Sequence, residues 1–320
     1  MEQSVIKKKI VVSLTSYPAR IQYVSKALES IFTQSLSADE IVLYLAKEQF
    51  PNRENDFPAE LENLVSEKKL RVRWCANDLK PHKKYFYAFR DYPEDVIVTI
   101  DDDLIYPPDM LKNLYHSYQM FPECVSASRV HLIFIENNKV LPYELWLKEI
   151  NGCVHQPSMQ LFATGGAGTL YPTHLFCKML LDEKVIMETC LEADDLWLKA
   201  MELALEIPVV LASSVSNLRY VPGSQEGGTL WSVNRAENDN YWEKINKWYN
   251  EQYEDKFLVK KIASDVGVDL LGIGAISRLV NFERKREREK LRKAWDEKSE
   301  RARRIRELEE ELKAIKSSHI

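Results

Sequence analysis

Val96-Ile97-Val98-Thr99-Ile100 runs directly into Asp101-Asp102-Asp103, and this stretch decides the fold. The first five residues are rich in β-branched side chains, which is typical of a buried strand. Three adjacent carboxylates repel one another, so a fold that keeps them together needs a cation nearby. Asp101 and Asp103 can turn toward one point, which suits a hard divalent cation such as Mg²⁺ or Mn²⁺. The alternative is an acidic cap on a helix at 109–120, although a cap needs a single carboxylate.

The composition limits the class of protein. A chain of 320 residues is long enough for one large α/β domain with an appendage. Its net charge of −5 argues against a general nucleic-acid-binding protein. Five scattered cysteines without a C-x-x-C pair indicate free thiols in a reducing compartment. Because the sequence shows no signal region and no long apolar run, we expect a cytoplasmic protein that can still touch the inner face of the cell membrane.

Strand and helix patterns alternate through the first 120 residues. The patterns predict strands at 10–14, 41–45, 70–74 and 96–100, with helices at 21–31, 61–65 and 83–89 between them. This order predicts a doubly wound, mostly parallel sheet flanked by helices. Beyond residue 125 we expect strands at 130–135 and 209–211, a hairpin turn at 137–139, and helices at 173–182, 193–205 and 241–253.

The C-terminal segment is of a different kind. Residues 283–316 are densely charged and contain neither glycine nor proline, and Ile305, Leu308, Leu312 and Ile315 fall at heptad spacing. This pattern predicts a long charged helix with a short coiled-coil seam, which could make a homo-oligomer. A solvated helix packed on its own domain is the alternative. The apolar stretch 257–282 followed by basic residues could also lie on an anionic membrane, but the interleaved acidic residues favour self-association.

Five ordered motifs carry a family resemblance. They are SLTSYPAR at 13–20, DLKPHKK at 78–84, DDD at 101–103, TGGAGTLYP at 164–172 and EADDLW at 192–197. With these motifs the chain resembles nucleotide-sugar glycosyltransferases of the GT-A fold, close to the bacterial family 2-like enzymes. The resemblance covers roughly residues 8–225. It implies a Rossmann-like α/β fold, to which the charged C-terminal segment adds a helical extension.

The resemblance implies a metal site at the acidic triplet, residues 101–103. Asp101 and Asp103 would be the chief ligands of Mn²⁺ or Mg²⁺, and Asp102 would face the sugar or the ribose of the donor. A metal ion in this position stabilises the charge that develops on the leaving nucleoside diphosphate.

The resemblance also implies residues that bind the donor. Thr15 and Ser16 would hold the nucleobase and ribose, and Arg20 would approach the phosphates, unless it is a plain surface residue at a helix start. Three lysines, Lys80, Lys83 and Lys84, would neutralise the diphosphate with His82 between them. A solvated basic loop is the alternative for this group.

The last two motifs concern the acceptor side. Gly165 and Gly166 would let the backbone approach the ligand closely, with a structural turn as the alternative. Asp194 and Asp195 begin a predicted helix, where inverting enzymes of this fold carry the general base. We favour Asp195 as the base; the alternative is a pair of carboxylates that stabilises the helix dipole. Residues 220–231 are expected to form a loop that closes over the donor.

With these features, the resemblance implies an inverting, metal-dependent glycosyltransferase that serves bacterial surface-polysaccharide synthesis. The donor is expected to be a nucleotide sugar, with UDP preferred through the resemblance, and the acceptor a hydroxyl of a glycan or lipid-linked molecule. The expected domains are 1–225 (catalytic), 226–282 (helical subdomain and lid) and 283–320 (charged helix). A nucleotidyltransferase and a non-catalytic adaptor assembled through the C-terminal helix are the alternatives. A nucleotidyltransferase usually has a glycine-rich basic signature after the first strand. The segment Thr15-Ser16-Tyr17-Pro18 does not match that signature.

Overall fold

The structure is a computed structural model of the chain, and it describes residues 8–136, 139–214, 218–225, 230–253 and 262. The strands are β1 (Ile10–Thr15), β2 (Glu40–Ala46), β3 (Arg71–Cys75), β4 (Val96–Thr99), β5 (Leu104–Ile105), β6 (Val125–Ala127), β7 (Val130–Leu132), β8 (Ile135–Glu136), β9 (Lys139–Val140), β10 (Leu147–Ile150), β11 (Leu161–Ala163), β12 (Thr169–Pro172), β13 (Val209–Leu211) and β14 (Arg219–Tyr220). The α-helices are α1 (Val24–Phe32), α2 (Ala59–Ser66), α3 (Lys83–Asp91), α4 (Met110–Met120), α5 (Glu183–Thr189), α6 (Asp194–Ala204) and α7 (Leu230–Gln252).

A seven-stranded sheet forms the centre of the molecule, in the order β13-β6-β12-β4-β1-β2-β3. β1 is parallel to β2 on one side and to β4 on the other, with Val12 opposite Ile41 and Val98. Helices cover both faces, which explains why β1 and β4 are apolar without alternation. The prediction of a mostly parallel sheet flanked by helices is therefore confirmed.

The two faces of the sheet follow from the alternation of side chains along β1. Ile10, Val12 and Leu14 share one apolar cluster with residues of α1, α2 and α4. Ser13 points to the opposite face, where its hydroxyl donates a hydrogen bond to the carbonyl of Lys84 at the start of α3. α3 thus lies across β1 with its first turn at the carboxyl end of the sheet.

β12 is the one antiparallel insertion in the centre of the sheet. It runs between β4 and β6, with Thr169 opposite both Thr99 and Ala127. The sequence analysis predicted a glycine-rich segment that approaches the ligand, with a turn as the alternative, and no strand at 169–172, because four residues are too few for a periodicity to show. This insertion brings the glycine-rich segment back beside the end of β4.

Smaller sheets accompany the main sheet. β7 pairs antiparallel with β10 and β11, β8 with β9, and β14 with β5. The β14–β5 pair matters most for the site, because β5 follows the acidic triplet directly.

The helix predicted at 173–182 is wrong. The chain makes two 3-10 turns there, Thr173–Leu175 and Lys178–Leu181, and the helix α5 begins only at Glu183. The start is set by Asp182, whose side chain accepts a hydrogen bond of 3.2 Å from the backbone N–H of Val185. This carboxylate is an N-cap that we did not identify in the sequence.

Several sequence predictions lie outside the described residues. They are the charged helix with its seam in 283–320, the apolar stretch 257–282, and most of the hairpin turn at 137–139. Among the described residues, no helix is both long enough and apolar enough to cross a bilayer. Four of the five cysteines are buried free thiols, and Cys177 is exposed.

Trp197 attaches α6 to its neighbours. Its side chain is fully buried, its indole N–H donates a hydrogen bond of 2.9 Å to the carbonyl of Leu180, and its ring lies 5.3 Å from that of Trp248 on α7. We expect Trp197→Ala to lower the free energy of unfolding by about 3–5 kcal/mol, the usual cost of emptying such a site. Urea denaturation followed by circular dichroism measures this loss. Met187→Ala, at a position 56% exposed on α5, is the control and should stay within about 0.5 kcal/mol.

Candidate active site at the carboxyl end of β4

The acidic triplet turns the chain at the end of β4. Asp102 and Asp103 are buried, whereas the side chain of Asp101 is 39% exposed. None of the three caps the following helix, since Asp109 occupies the N-cap position of α4. Their carboxylates instead contact side chains from distant parts of the chain, so the acidic-cap alternative does not apply.

Arg20 contacts two carboxylates of the triplet. Its Nη1 lies 3.1 Å from Asp102 Oδ1, and its Nη2 lies 2.8 Å from Asp103 Oδ2. The hydroxyl of Ser16 donates to the other oxygen of Asp102, Oδ2, at 2.5 Å. Thr15 faces away from the triplet, because its hydroxyl donates to the carbonyl of Tyr44 on β2 at 2.7 Å.

The segment 221–225 closes over Asp103. The N–H of Val221 donates to the backbone carbonyl of Asp103 at 2.8 Å, and Gln225 Nε2 donates to the Asp103 carboxylate at 2.7 Å. Arg20 also donates to the carbonyl of Ser224 at 3.3 Å. A cation at Asp103 would therefore have to take the place of Arg20, whereas the side chain of Asp101 is 39% exposed.

Lys84 lies between the triplet and α6. Its Nζ is 2.8 Å from Asp101 Oδ1 and 3.0 Å from Asp194 Oδ2, and its side chain is only 4% exposed. Burial alone would lower the pKa of Lys84, but attraction by Asp101, Asp194 and Asp195 raises it well above its usual value. Lys84 is therefore charged at neutral pH.

The other two lysines of the basic motif face a different acid. Lys83 pairs with Asp78, and Lys80 lies 2.9 Å from the same carboxylate. His82 is buried between the hydroxyl of Tyr85 and the carbonyl of Cys190, and burial lowers its pKa to about 4. Of the predicted diphosphate-binding lysines, Lys84 is the one that this structure brings to the acidic triplet.

The glycine-rich segment provides close backbone approach on two sides. The N–H of Gly165 donates to Asp195 Oδ1 at 2.9 Å, and Thr99 holds the Gly165 carbonyl at 3.0 Å. A Cβ on Gly166 would lie 1.7 Å from Asp101 Oδ2, a distance that no side chain tolerates. Gly165 and Gly166 thus bring Asp195 and Asp101 to neighbouring peptide units.

Asp194 and Asp195 begin α6 and have different surroundings. Asp194 is 7% exposed and pairs with Lys84, while Asp195 is more exposed and contacts Gly165. Burial and repulsion by Asp194 raise the pKa of Asp195 to about 8, although Lys84 and the Gly165 N–H act in the opposite direction.

Two residues that the sequence did not single out belong to the same neighbourhood. Arg129 donates through Nε to the hydroxyl of Thr164 at 2.8 Å, beside Gly165. Tyr143 is close enough to Asp195 for that carboxylate to raise the pKa of its phenol further, after burial. A single arginine and a single tyrosine in an irregular stretch carry no sequence pattern, so no signal could have identified them.

The charge of this cluster fits a divalent cation. Within the described residues, five carboxylates gather against two contacting side-chain cations, Arg20 and Lys84; the carboxylates are those of Asp101, Asp102, Asp103, Asp194 and Asp195. Burial and the neighbouring carboxylates raise the pKa of Asp102 to about 7 against the opposing charge of Arg20. Across residues 8–136, 139–214, 218–225 and 230–253, no three His, Cys, Asp or Glu side chains converge as a ready-made metal site. The fit rests on excess negative charge and on the accessible Asp101.

The fold is similar to that of solved structures. The mannosyltransferase PcManGT from Pyrobaculum calidifontis, in complex with GDP-Man and Mn²⁺, matches with a TM-score of 0.50 and 13% identity, over 80% of this chain and 69% of its own. S. aureus TarS 1–349 in complex with UDP matches with a TM-score of 0.40 (15% identity, 76% and 72% of the two chains), and an apo UDP-glucose pyrophosphorylase with 0.36 (10% identity, 78% and 100%). These two likenesses are too weak to support an assignment.

The likeness to PcManGT shows a shared fold, in agreement with the GT-A-like fold that the sequence resemblance implies. No family model matches the sequence. No curated protein matches it either.

The two neighbouring glycines allow a paired test of the site. We expect Gly166→Ala to weaken Mn²⁺ binding by about 10- to 100-fold, because the new methyl group must displace Asp101. Gly165→Ala should affect Mn²⁺ far less, since its Cβ would lie 2.8 Å from Asp195 Oδ1. Isothermal titration calorimetry with Mn²⁺, on variants whose urea midpoints have been checked, measures both. Equal Mn²⁺ affinities for the two variants would mean that Asp101 is not a ligand.

Proposed function

We propose that this protein is a glycosyltransferase that moves a sugar from a nucleotide donor, UDP-linked by preference, to a hydroxyl of a glycan or lipid-linked acceptor. One observation carries the proposal. A carboxylate, Asp195, is held on the N–H of Gly165 while the adjacent Gly166 packs on Asp101. A proton acceptor and a cation-binding acid thus flank one backbone segment, which is what transfer to a hydroxyl requires.

The acidic triplet is proposed to receive the donor's diphosphate together with Mn²⁺ or Mg²⁺. Asp101 would hold the cation, joined by Asp103 when Arg20 moves aside. When bound, the cation would supply charge stabilisation to the leaving diphosphate. Arg20 would then be available to a phosphate oxygen, since its guanidinium suits bidentate contact with oxyanions.

The nucleoside is proposed to lie along the end of β1. The hydroxyl of Ser16 donates to Asp102 Oδ2 at 2.5 Å. We propose that these two hydrogen-bonded side chains together bind a ribose or sugar hydroxyl. Thr15 would act through its backbone, because its side chain is engaged with Tyr44.

Asp195 is proposed to act as the general base. The acceptor oxygen would form a bond to the anomeric carbon as the bond from that carbon to the diphosphate oxygen breaks. The hydroxyl proton would pass to the Asp195 carboxylate, and the anomeric configuration would invert in this single displacement. The raised pKa of Asp195 suits a base that must hold a proton firmly.

The two alternatives use these residues less fully. In nucleotidyl transfer to a sugar phosphate, the attacking phosphate carries no hydroxyl proton at neutral pH that a base must remove, so Asp195 would have no task. A non-catalytic adaptor would need neither the open Asp101 nor the close approach of Gly166.

The test of this function is the hydrolysis of a panel of nucleotide sugars with Mn²⁺ or with a chelator. We expect Mn²⁺-dependent release of the nucleoside diphosphate from at least one donor, and Asp195→Asn should lower turnover by about 10²- to 10⁴-fold. Asp194→Asn is the matched control and should lose much less. Formation of a nucleotide sugar and pyrophosphate from a nucleoside triphosphate would instead support nucleotidyl transfer.

The same assay gives a pH dependence. Because the folded-state pKa of Asp195 is raised to about 8, the base is protonated in acid and becomes active as pH rises. Turnover should increase with pH and reach half of its maximum at or below pH 8, since a bound cation favours the ionised carboxylate. Activity that falls over this range would contradict the role of Asp195.

We further propose that residues 1–225 form the catalytic part, 226–282 a helical subdomain with the lid, and 283–320 an assembly helix. The setting would be bacterial surface-polysaccharide synthesis at the inner face of the membrane. Deletion of residues 283–320 should then reduce the number of subunits measured by light scattering while donor hydrolysis persists. An unchanged subunit number would mean that residues 283–320 do not mediate assembly. Binding of the full chain to anionic vesicles would then be the next measurement.

A further inference from the structure

Lys84 is a buried cation that contacts carboxylates from two elements of the site. Its Nζ contacts Asp101 at the end of β4 and Asp194 at the start of α6, at 2.8 and 3.0 Å. Its backbone is held as well, because the hydroxyl of Ser13 on β1 donates to the Lys84 carbonyl. A lysine fixed at both ends is not free to follow a ligand.

We propose that Lys84 is a positioning residue that pins Asp194 and thereby assigns the role of general base to Asp195. This inference rests on the proposed function and deepens it. It differs from the expectation that Lys84 binds the donor's diphosphate.

The contacts of the two aspartates support this division. Asp194 is 7% exposed and has the Lys84 ammonium against its Oδ2, so its carboxylate is held away from an incoming hydroxyl. Asp195 points instead to the glycine-rich segment and accepts the Gly165 N–H at 2.9 Å. Two adjacent carboxylates cannot share one orientation, and the cation determines which one turns inward.

The burial of Lys84 argues against a direct contact with the diphosphate. The side chain is 4% exposed, and Asp101 and Asp194 already occupy its ammonium group. The exposed member of the Lys84–Asp101 contact is the carboxylate, which is 39% exposed. Lys84 therefore meets the donor side of the site through Asp101 rather than by itself.

The test is a double-mutant cycle with Lys84→Met, Asp194→Asn and both together. Loss of Lys84 leaves the buried Asp194 without its counter-charge, whereas removal of both charges leaves only Asp101, whose side chain is 39% exposed, without its lysine. We expect the urea midpoint to fall in Lys84→Met and to recover substantially in the double variant. Turnover of nucleotide-sugar hydrolysis should likewise be no lower in the double variant than in Lys84→Met alone.

The control is Glu202→Gln, which changes another buried acid of α6 that pairs with Lys199 at 3.3 Å. Combined with Lys84→Met it should give additive losses, so recovery must be specific to Asp194. If Lys84→Met does not fold, a folded double variant still supports the proposal, and an unfolded one contradicts it.

The kinetic constants separate positioning from donor binding. A positioning role predicts a lower kcat, by about 10-fold or more for Lys84→Met, with the donor KM changed much less. The proposal would be overturned if Lys84→Met raised the donor KM and if, in the double variant, this rise multiplied with the change in KM caused by Asp194→Asn. The urea midpoints are measured without any activity assay. They would therefore still test the coupling between Lys84 and Asp194 if the proposed function failed.

Discussion

The structure depends on how excess negative charge is held at the carboxyl end of β4. Two unit charges 4 Å apart interact by about 4 kcal/mol near a protein surface, so clustered carboxylates oppose folding unless cations lie between them. Arg20 and Lys84 supply those cations. Arg20 joins the acidic triplet to the loop after β1 and to the segment at 221–225, and Lys84 joins the triplet to α6. The neutralisation is incomplete, and this remaining charge is the basis for the cation that we propose at the site.

The backbone topology makes this cluster possible. β1 and β4 are parallel and end at the same edge, where Ser16, Arg20 and the acidic triplet meet. The antiparallel β12 then returns the glycine-rich segment to that edge, so Gly165 and Gly166 lie beside Asp195 and Asp101. Because glycine carries no Cβ, the backbone can lie where any other residue would clash. The proposed base and the proposed cation ligand are thus neighbours in space, although about 90 residues separate them in sequence.

The sequence predicts those parts of the fold that rest on a repeated or extended pattern of residues. The apolar strand before Asp101, the alternation of strands and helices, and the acidic start of α6 are all visible, since each rests on a local pattern. β12 and the N-cap Asp182 are too short or too local to show a period. The pairing of Lys80 and Lys83 with Asp78, and of Lys84 with the triplet, depends on the direction in which each side chain leaves its turn. The direction of a side chain cannot be predicted from a local sequence pattern. Contacts such as that of Gln225 with Asp103 join residues that are more than 100 positions apart in the chain.

The acidic triplet is proposed to bind a divalent cation and a nucleoside diphosphate together. Differential scanning calorimetry of the full chain with UDP, with Mn²⁺, and with both tests this proposal most directly, because any ligand that binds only the folded state raises Tm. We expect UDP with Mn²⁺ to raise Tm by more than the sum of the two separate shifts, and we expect this excess to be lost in Asp101→Ala. A Tm that does not respond to the pair, or an equal response to UDP in excess chelator, would mean that the triplet does not bind the cation and the diphosphate together.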